Sequence, residues 1–256
     1  MLIEEFDPSP SAIIEPHNLI NPLKDQMPEI VVSCFEHSVF ERLLSINGGT
    51  EITYYSTPKQ KTPIYCTLYK GKKIALTLMD IGAAACVCFC EVLYAMGAKM
   101  IILFGSCGVL DCQISRNSII IPNYALRDEG VSFHYMPPAD EISVNSEYIK
   151  EFTALLTNEQ IEYSIGKVWT TDALFRETKE KVRQRKMQGC ICVDMECSAV
   201  ASMAKFRKKG IFHFFYAADS LDNDEWDRRA VNKQIRRSKS EAVAYIAMEF
   251  ALRCTI

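Results

Sequence analysis

The stretch KMIILFGSCG, Lys99 to Gly108, is an unbroken apolar run that ends on two glycines flanking a serine and a cysteine. A strand with one wet face alternates polar and apolar residues. This one does not alternate, so it predicts a strand buried on both faces. Before it, AACVCFCEVLYAMG (84–97) reads as a long apolar helix stopped by Gly97. Working outward, apolar runs at 29–34, 72–79, 118–123, 166–173, 190–195 and 211–217 predict further strands. Helical spacing predicts helices near 38–45, 146–157, 177–187, 196–208 and 229–253. The polar, proline-containing segment 50–64 reads as a loop or an edge hairpin. Strand–helix alternation of this kind predicts an α/β domain with a largely parallel sheet.

The chain has 256 residues, a net charge of −3, 48% hydrophobic and 24% charged residues. A chain of this size can bury a core without staples, and its composition excludes disorder. Mild acidity argues against a nucleic-acid binder, which needs a basic surface. No apolar run is long enough to span a bilayer, and the acidic start MLIEEFDPSP lacks the basic region of a signal peptide. The expectation is a cytoplasmic protein with no membrane or nucleic-acid partner. In that compartment the eleven cysteines are small hydrophobes rather than a disulfide framework. Cys86, Cys88 and Cys90 do not converge on a metal, because helical residues two apart point about 200° apart. No metal site is expected.

In an open α/β sheet the active site gathers at the carboxyl ends of strands. Four strand ends carry chemistry. FGSCG offers Gly105, Ser106 and Gly108, where backbone and hydroxyl can approach a ligand. TTDALFRET offers Thr171 and the aromatic Phe175, suited to a planar heterocycle. VDMECS offers Asp194, Met195 and Glu196 at a helix start. AADSLDND puts Asp219 straight after an apolar run, where burial favours a proton donor. Each of these signals has a plain structural reading as a turn, a core aromatic or a helix cap.

Taken in order, these segments resemble the purine nucleoside/uridine phosphorylase family, including its methylthioadenosine/S-adenosylhomocysteine nucleosidase branch. The resemblance runs from about residue 29 to the C-terminus through YKGKKIALTLMDIGAA, MGAKMIILFGSCG, LRDEGVSFHY, VDMECSAV and AADS. It implies a three-layer α/β/α fold with a central mixed, largely parallel sheet, as one domain over 29–256 after an N-terminal arm, 1–28. It implies that Glu196 grips the ribose hydroxyls, that Met195 lies against the sugar, and that Phe175 stacks on the base. Asp219 would protonate a ring nitrogen as the glycosidic bond breaks, supported by Arg236, with Arg228 and Arg237 as alternatives. The serine that precedes this acid in the family is Ala218 here. It further implies no cofactor, a small-molecule nucleoside as partner, and a homodimer or trimer of dimers.

The phosphate site departs from the family. Phosphorylases use a Gly-Asp-Pro loop after the first strand and an arginine just before the GSCG-type turn. Here those places hold Ser33-Cys34-Phe35-Glu36-His37 and Leu103. Phosphorolysis, with phosphate as co-substrate, is the first expectation. It needs Ser106, Arg127 or a partner's Lys59, Lys61 or Lys70 to meet the charge. Hydrolysis is the alternative, with Glu36 activating water. A non-catalytic nucleoside-binding or storage protein is a further alternative, against which the retained Asp219 and Glu196 argue. Uridine phosphorylases read pyrimidine with a Gln and an Arg. The matching stretch RETKEK has Lys179 and Lys181 there, so the base expected is a purine.

Overall fold

The computed structural model describes residues 2–20, 23, 26–223, 225–229 and 233–254, and for Leu2 and 233–240 the backbone alone. The elements in order are α1 (Pro16–Leu19), β1 (Ile30–Cys34), α2 (His37–Asn47), β2 (Thr50–Ser56), β3 (Lys61–Tyr69), β4 (Lys72–Leu78) and α3 (Ala83–Met96). They continue as β5 (Met100–Val109), β6 (Ile119–Asp128), β7 (Glu141–Ser143), α4 (Ile149–Asn158), β8 (Tyr163–Thr171) and α5 (Lys179–Met187). β9 (Cys190–Asp194), α6 (Cys197–Arg207), β10 (Gly210–Ser220) and α7 (Lys233–Arg253) complete the chain. The expected α/β architecture is present. Segment 50–64 is half of an edge hairpin, β2 against β3, and continues into a strand that the polar pattern hid.

The strands form one mixed sheet, parallel through its middle and antiparallel at its β2–β3–β4 edge. β5 pairs in parallel with both β1 and β10. Through β9, β8 and β6 the pairing returns to β10, so five strands close into a ring around the end of β5. This explains the unbroken apolar run: Ile101 to Phe104 are fully buried, with apolar clusters on both faces. Helix α3 is apolar all round because it is buried almost all round, packing on α6 and α1 as well as the sheet. Gly97 ends it at φ +129°, a conformation glycine adopts without cost. Of the cysteine cluster, Cys86 and Cys90 are buried and Cys88 is exposed, so the three face apart. All eleven thiols are free. Among the described residues no helix is long and apolar enough to cross a membrane.

His213 lies in β10 between Phe35 and Phe215, with ring centroids 5.8 and 4.4 Å away and neither nitrogen hydrogen-bonded. Burial keeps the ring neutral, pushing its pKa down to about 3. Unfolded, it titrates near 6.5. Its contribution to stability is therefore complete above that pH and is lost as pH falls toward the folded value, by at most about 1.4 kcal/mol per pH unit. His213→Phe is expected to flatten this acid limb in denaturant melts taken between about pH 4 and 6.5. An unchanged slope would show that other groups set the limb.

Candidate active site

Three strand ends and one turn enclose a cavity of about 210 Å³. β5 supplies Gly105 to Gly108, β9 leads into Asp194 to Glu196, and β10 supplies Phe215 and Asp219. The turn after β8 supplies Leu174 and Glu177, and Phe35 follows β1. Gly105 is required here. A Cβ on it would lie 2.9 Å from the Phe35 ring, so only glycine lets the two strand ends close up. Four carboxylates line the cavity, those of Glu177, Asp194, Glu196 and Asp219; among the described residues no Lys, Arg or His side chain joins them. A larger cavity of about 840 Å³ adjoins it, sharing Glu177 and Leu221.

Asp194 and Glu196 are buried at the start of α6 but are held differently. Asp194 accepts three hydrogen bonds: from the Thr170 hydroxyl at 2.7 Å and from the Glu196 and Cys197 N–H groups at 2.8 and 2.7 Å. It therefore ties β8 to β9 and satisfies the first amides of α6, as helix-start carboxylates do. Glu196 accepts the Gly82 N–H at 2.6 Å, and the Met195 backbone N–H also faces its carboxyl group. Burial raises both carboxyl groups, and the charge of Asp194 adds to the rise in Glu196. With three donors on Asp194, the anion belongs there and the proton on Glu196. Glu129 stands behind Asp194, also buried, and accepts from the Ser198 hydroxyl at 2.8 Å.

Asp219 sits where β10 leaves its parallel register with β5, between Ala217 and Ser220. Its carboxylate accepts the Trp226 indole N–H at 2.6 Å. Glu177 is the residue that strand-end reading passed over. Burial, reinforced by the charge of Asp219, pushes its carboxyl up to about 7. A signal was present: Glu177 closes the same TTDALFRET segment that nominated Thr171 and Phe175.

Several expected residues lie elsewhere. Phe175 is 95% exposed and does not line the cavity. Residues 174–176 form a 3-10 turn, and three-residue spacing puts Leu174 and Glu177 on one side while residue 175 points away. Phe175→Ala is accordingly expected to change KM for a nucleoside by less than about 2-fold, the size of an ordinary surface substitution. A rise above about 10-fold in steady-state assays would return the ring to the site. Thr171 is buried beneath the turn, accepting from the Ala173 N–H at 3.3 Å, outside the cavity lining. Arg127 serves the fold: its guanidinium donates to the Ser132 hydroxyl and to the carbonyls of Met136, Pro137 and Ala139. It is not available to an anion. The side chain of Arg236 lies outside the described residues, as does that of Arg237. Arg228 stands over the Trp226 ring, 4.6 Å from its centroid. Leu103 is fully buried in the apolar core.

Glu36 is not a lining residue, but it is linked to one. It accepts the Ser38 hydroxyl at 2.7 Å and the Tyr216 hydroxyl at 3.1 Å. Tyr216 stands in register with Ser106 and shares a hydrogen bond with it. Burial and the Glu36 carboxylate keep the Tyr216 phenol protonated. Because Tyr216 donates to Glu36, Ser106 must be the donor to Tyr216. The Ser106 oxygen is then left as an acceptor toward the cavity.

The chain resembles the DeoD-type purine nucleoside phosphorylase of Buchnera aphidicola, 24% identical over 190 residues, covering 73% of this chain and 80% of that protein. Its fold is similar to that of uridine phosphorylase from Vibrio fischeri, with a TM-score of 0.75 at 21% identity over 91% of this chain and 95% of that one. The 5′-methylthioadenosine/S-adenosyl homocysteine nucleosidase of Campylobacter jejuni gives 0.73 at 14% identity, over 89% of this chain and all (100%) of that one. A sequence model described as "Phosphorylase superfamily" matches residues 30–251. With that match spanning most of its length, and its fold shared with phosphorylases and a nucleosidase alike, the chain belongs to the phosphorylase superfamily.

Proposed function

We propose that this chain cleaves the N-glycosidic bond of a purine nucleoside, with water as the acceptor. The observation that supports the choice of acceptor is a cavity whose described lining holds four carboxyl groups and no basic side chain. A phosphate dianion placed there would lack compensating charge and face like charges in a partly desolvated space. A sugar that turns cationic as its bond breaks is favoured in the same surroundings. Glu196 and Met195 serve the ribose: one carboxyl group can meet two neighbouring hydroxyls, and the thioether packs against the ring. Asp219 and Glu177 serve the base. As the C1′–N9 bond breaks, its electron pair goes to the base, and a carboxyl proton passes to a ring nitrogen, so the base leaves neutral. Water on the acceptor face of Ser106 bonds to C1′. The proton it sheds has a path through Ser106 and Tyr216 to the Glu36 carboxylate.

Phosphorolysis is the second reading, favoured by the names of the curated relatives, which are purine nucleoside phosphorylases. It requires a basic side chain at Ser106 beyond those of the described lining residues, from this chain or from a second subunit of a homo-oligomer. Base release from a panel of purine and pyrimidine nucleosides in phosphate-free buffer tests the proposal. Release of free purine without phosphate is the expected result; release from pyrimidine nucleosides alone would overturn the choice of base.

A further inference from the structure

We propose that Glu177 and Asp219 form one proton-donating dyad, a pair of carboxyl groups that holds a single proton between them and delivers it to the leaving base. The inference rests on the purine-cleaving reading above, and it adds a catalytic residue to that reading.

Three observations carry it. Both side chains line the same cavity, one from the turn after β8 and one from the bulged end of β10. Their donors differ. Asp219 accepts the Trp226 indole N–H at 2.6 Å. The Glu177 carboxyl has no hydrogen-bond donor among the described residues, although it is largely withdrawn from water. Two carboxyl groups that share a cavity of about 210 Å³, one of them desolvated and without a donor, repel as anions, so losing the last proton is disfavoured until the base takes it. The upward shift of Glu177 under burial and the Asp219 charge agrees with this.

The other charges near the pair do not undo it. Asp194 and Glu196 share the cavity and add negative charge. Lys179, Arg183 and Lys186 face the adjoining space from α5. Of these, Arg183 is paired with Glu180 and Lys186 with Asp222, and Lys179 has a partner of its own. In the step itself, the dyad's proton moves to a ring nitrogen of the base as the C1′–N9 electron pair follows the base. The dyad becomes a dianion; the proton that the attacking water passes to Glu36 is released to solvent, and the dyad regains one from solvent before the next turnover. No oxidant or further reactant is needed.

The test is a double-mutant cycle on purine nucleoside cleavage with Glu177→Gln, Asp219→Asn and the double variant, each followed from about pH 5 to 9. A dyad predicts that Glu177→Gln alone lowers kcat about 10²–10³-fold and that the double variant is no slower than the slower single one. It also predicts that wild-type kcat/KM falls tenfold per pH unit above about 7, and that Glu177→Gln removes or displaces this limb. Multiplying effects, or an unchanged limb in Glu177→Gln, would overturn the dyad while leaving the proposed function standing. Should the wild-type chain cleave no purine nucleoside, both fall together. If Glu177→Gln fails to fold, Glu177→Asp and the wild-type pH profile still decide: a profile flat between pH 6 and 8 contradicts the dyad.

Discussion

Asp219→Asn is expected to slow cleavage of an unactivated purine nucleoside by about 10²–10⁴-fold, the usual range for loss of a general acid. That range is about 2.7–5.4 kcal/mol of barrier. β10 runs parallel to β5 from Gly210 to Ala217, and the register then shifts before Ser220. The shift brings Asp219 into the cavity, where its Oδ1 would lie 3.6 Å from a Cβ placed on Gly108. Asparagine keeps the size of the side chain and leaves an oxygen to accept the Trp226 indole, but it has no proton to give. The loss should therefore fall on kcat, with KM within a few-fold of wild type. A nucleoside whose leaving group departs without protonation should lose less than about 10-fold. Equal losses on both substrates would mean that Asp219 acts on the sugar or the fold.

Glu196→Ala is expected to lower kcat/KM by about 10²–10³-fold, with KM raised and kcat lowered together. The carboxyl group is buried where β9 passes into α6, and its internal partners are the Gly82 N–H and the Met195 backbone N–H. It thus has unused acceptor capacity for sugar hydroxyls, and hydrogen bonds to such groups are each worth about 10–100-fold. Removing it also orphans the Gly82 amide, which costs about 1–3 kcal/mol of stability. Glu196→Gln separates these effects. The amide oxygen can retain the Gly82 bond, so stability in denaturant melts should return toward wild type while activity does not. Restored activity in the glutamine variant would show that Glu196 supports the local fold and not the ribose.

Strong, unbroken signals made the centre of the fold legible, and weak ones hid its edge. β5 and β1 are buried on both faces and read as continuous apolar runs. β3 lies toward the sheet edge and opens with Lys61-Thr62-Pro63, so turn chemistry masked its strand character. At the candidate site, the strand-end rule named Ser106, Glu196 and Asp219, which line the cavity, because each comes at or just after an apolar run. It passed over Glu177 and chose Phe175 because a 3-10 turn intervenes. Which residue of such a turn faces inward depends on backbone rotation, to which residue type gives little guide. Arg127 misled for another reason: its guanidinium is taken up by loop carbonyls that are distant in sequence terms only by 9 to 12 residues.

The acceptor is the most exposed part of the account, and one measurement bears on it directly. A purine nucleoside cleaved to completion with and without inorganic phosphate, its sugar product identified by mass, distinguishes water from phosphate. The expected result is a rate independent of phosphate and a product that is free ribose. A rate that rises with phosphate and yields ribose 1-phosphate would contradict it, and would place a cation beside Ser106 that the described lining residues do not supply.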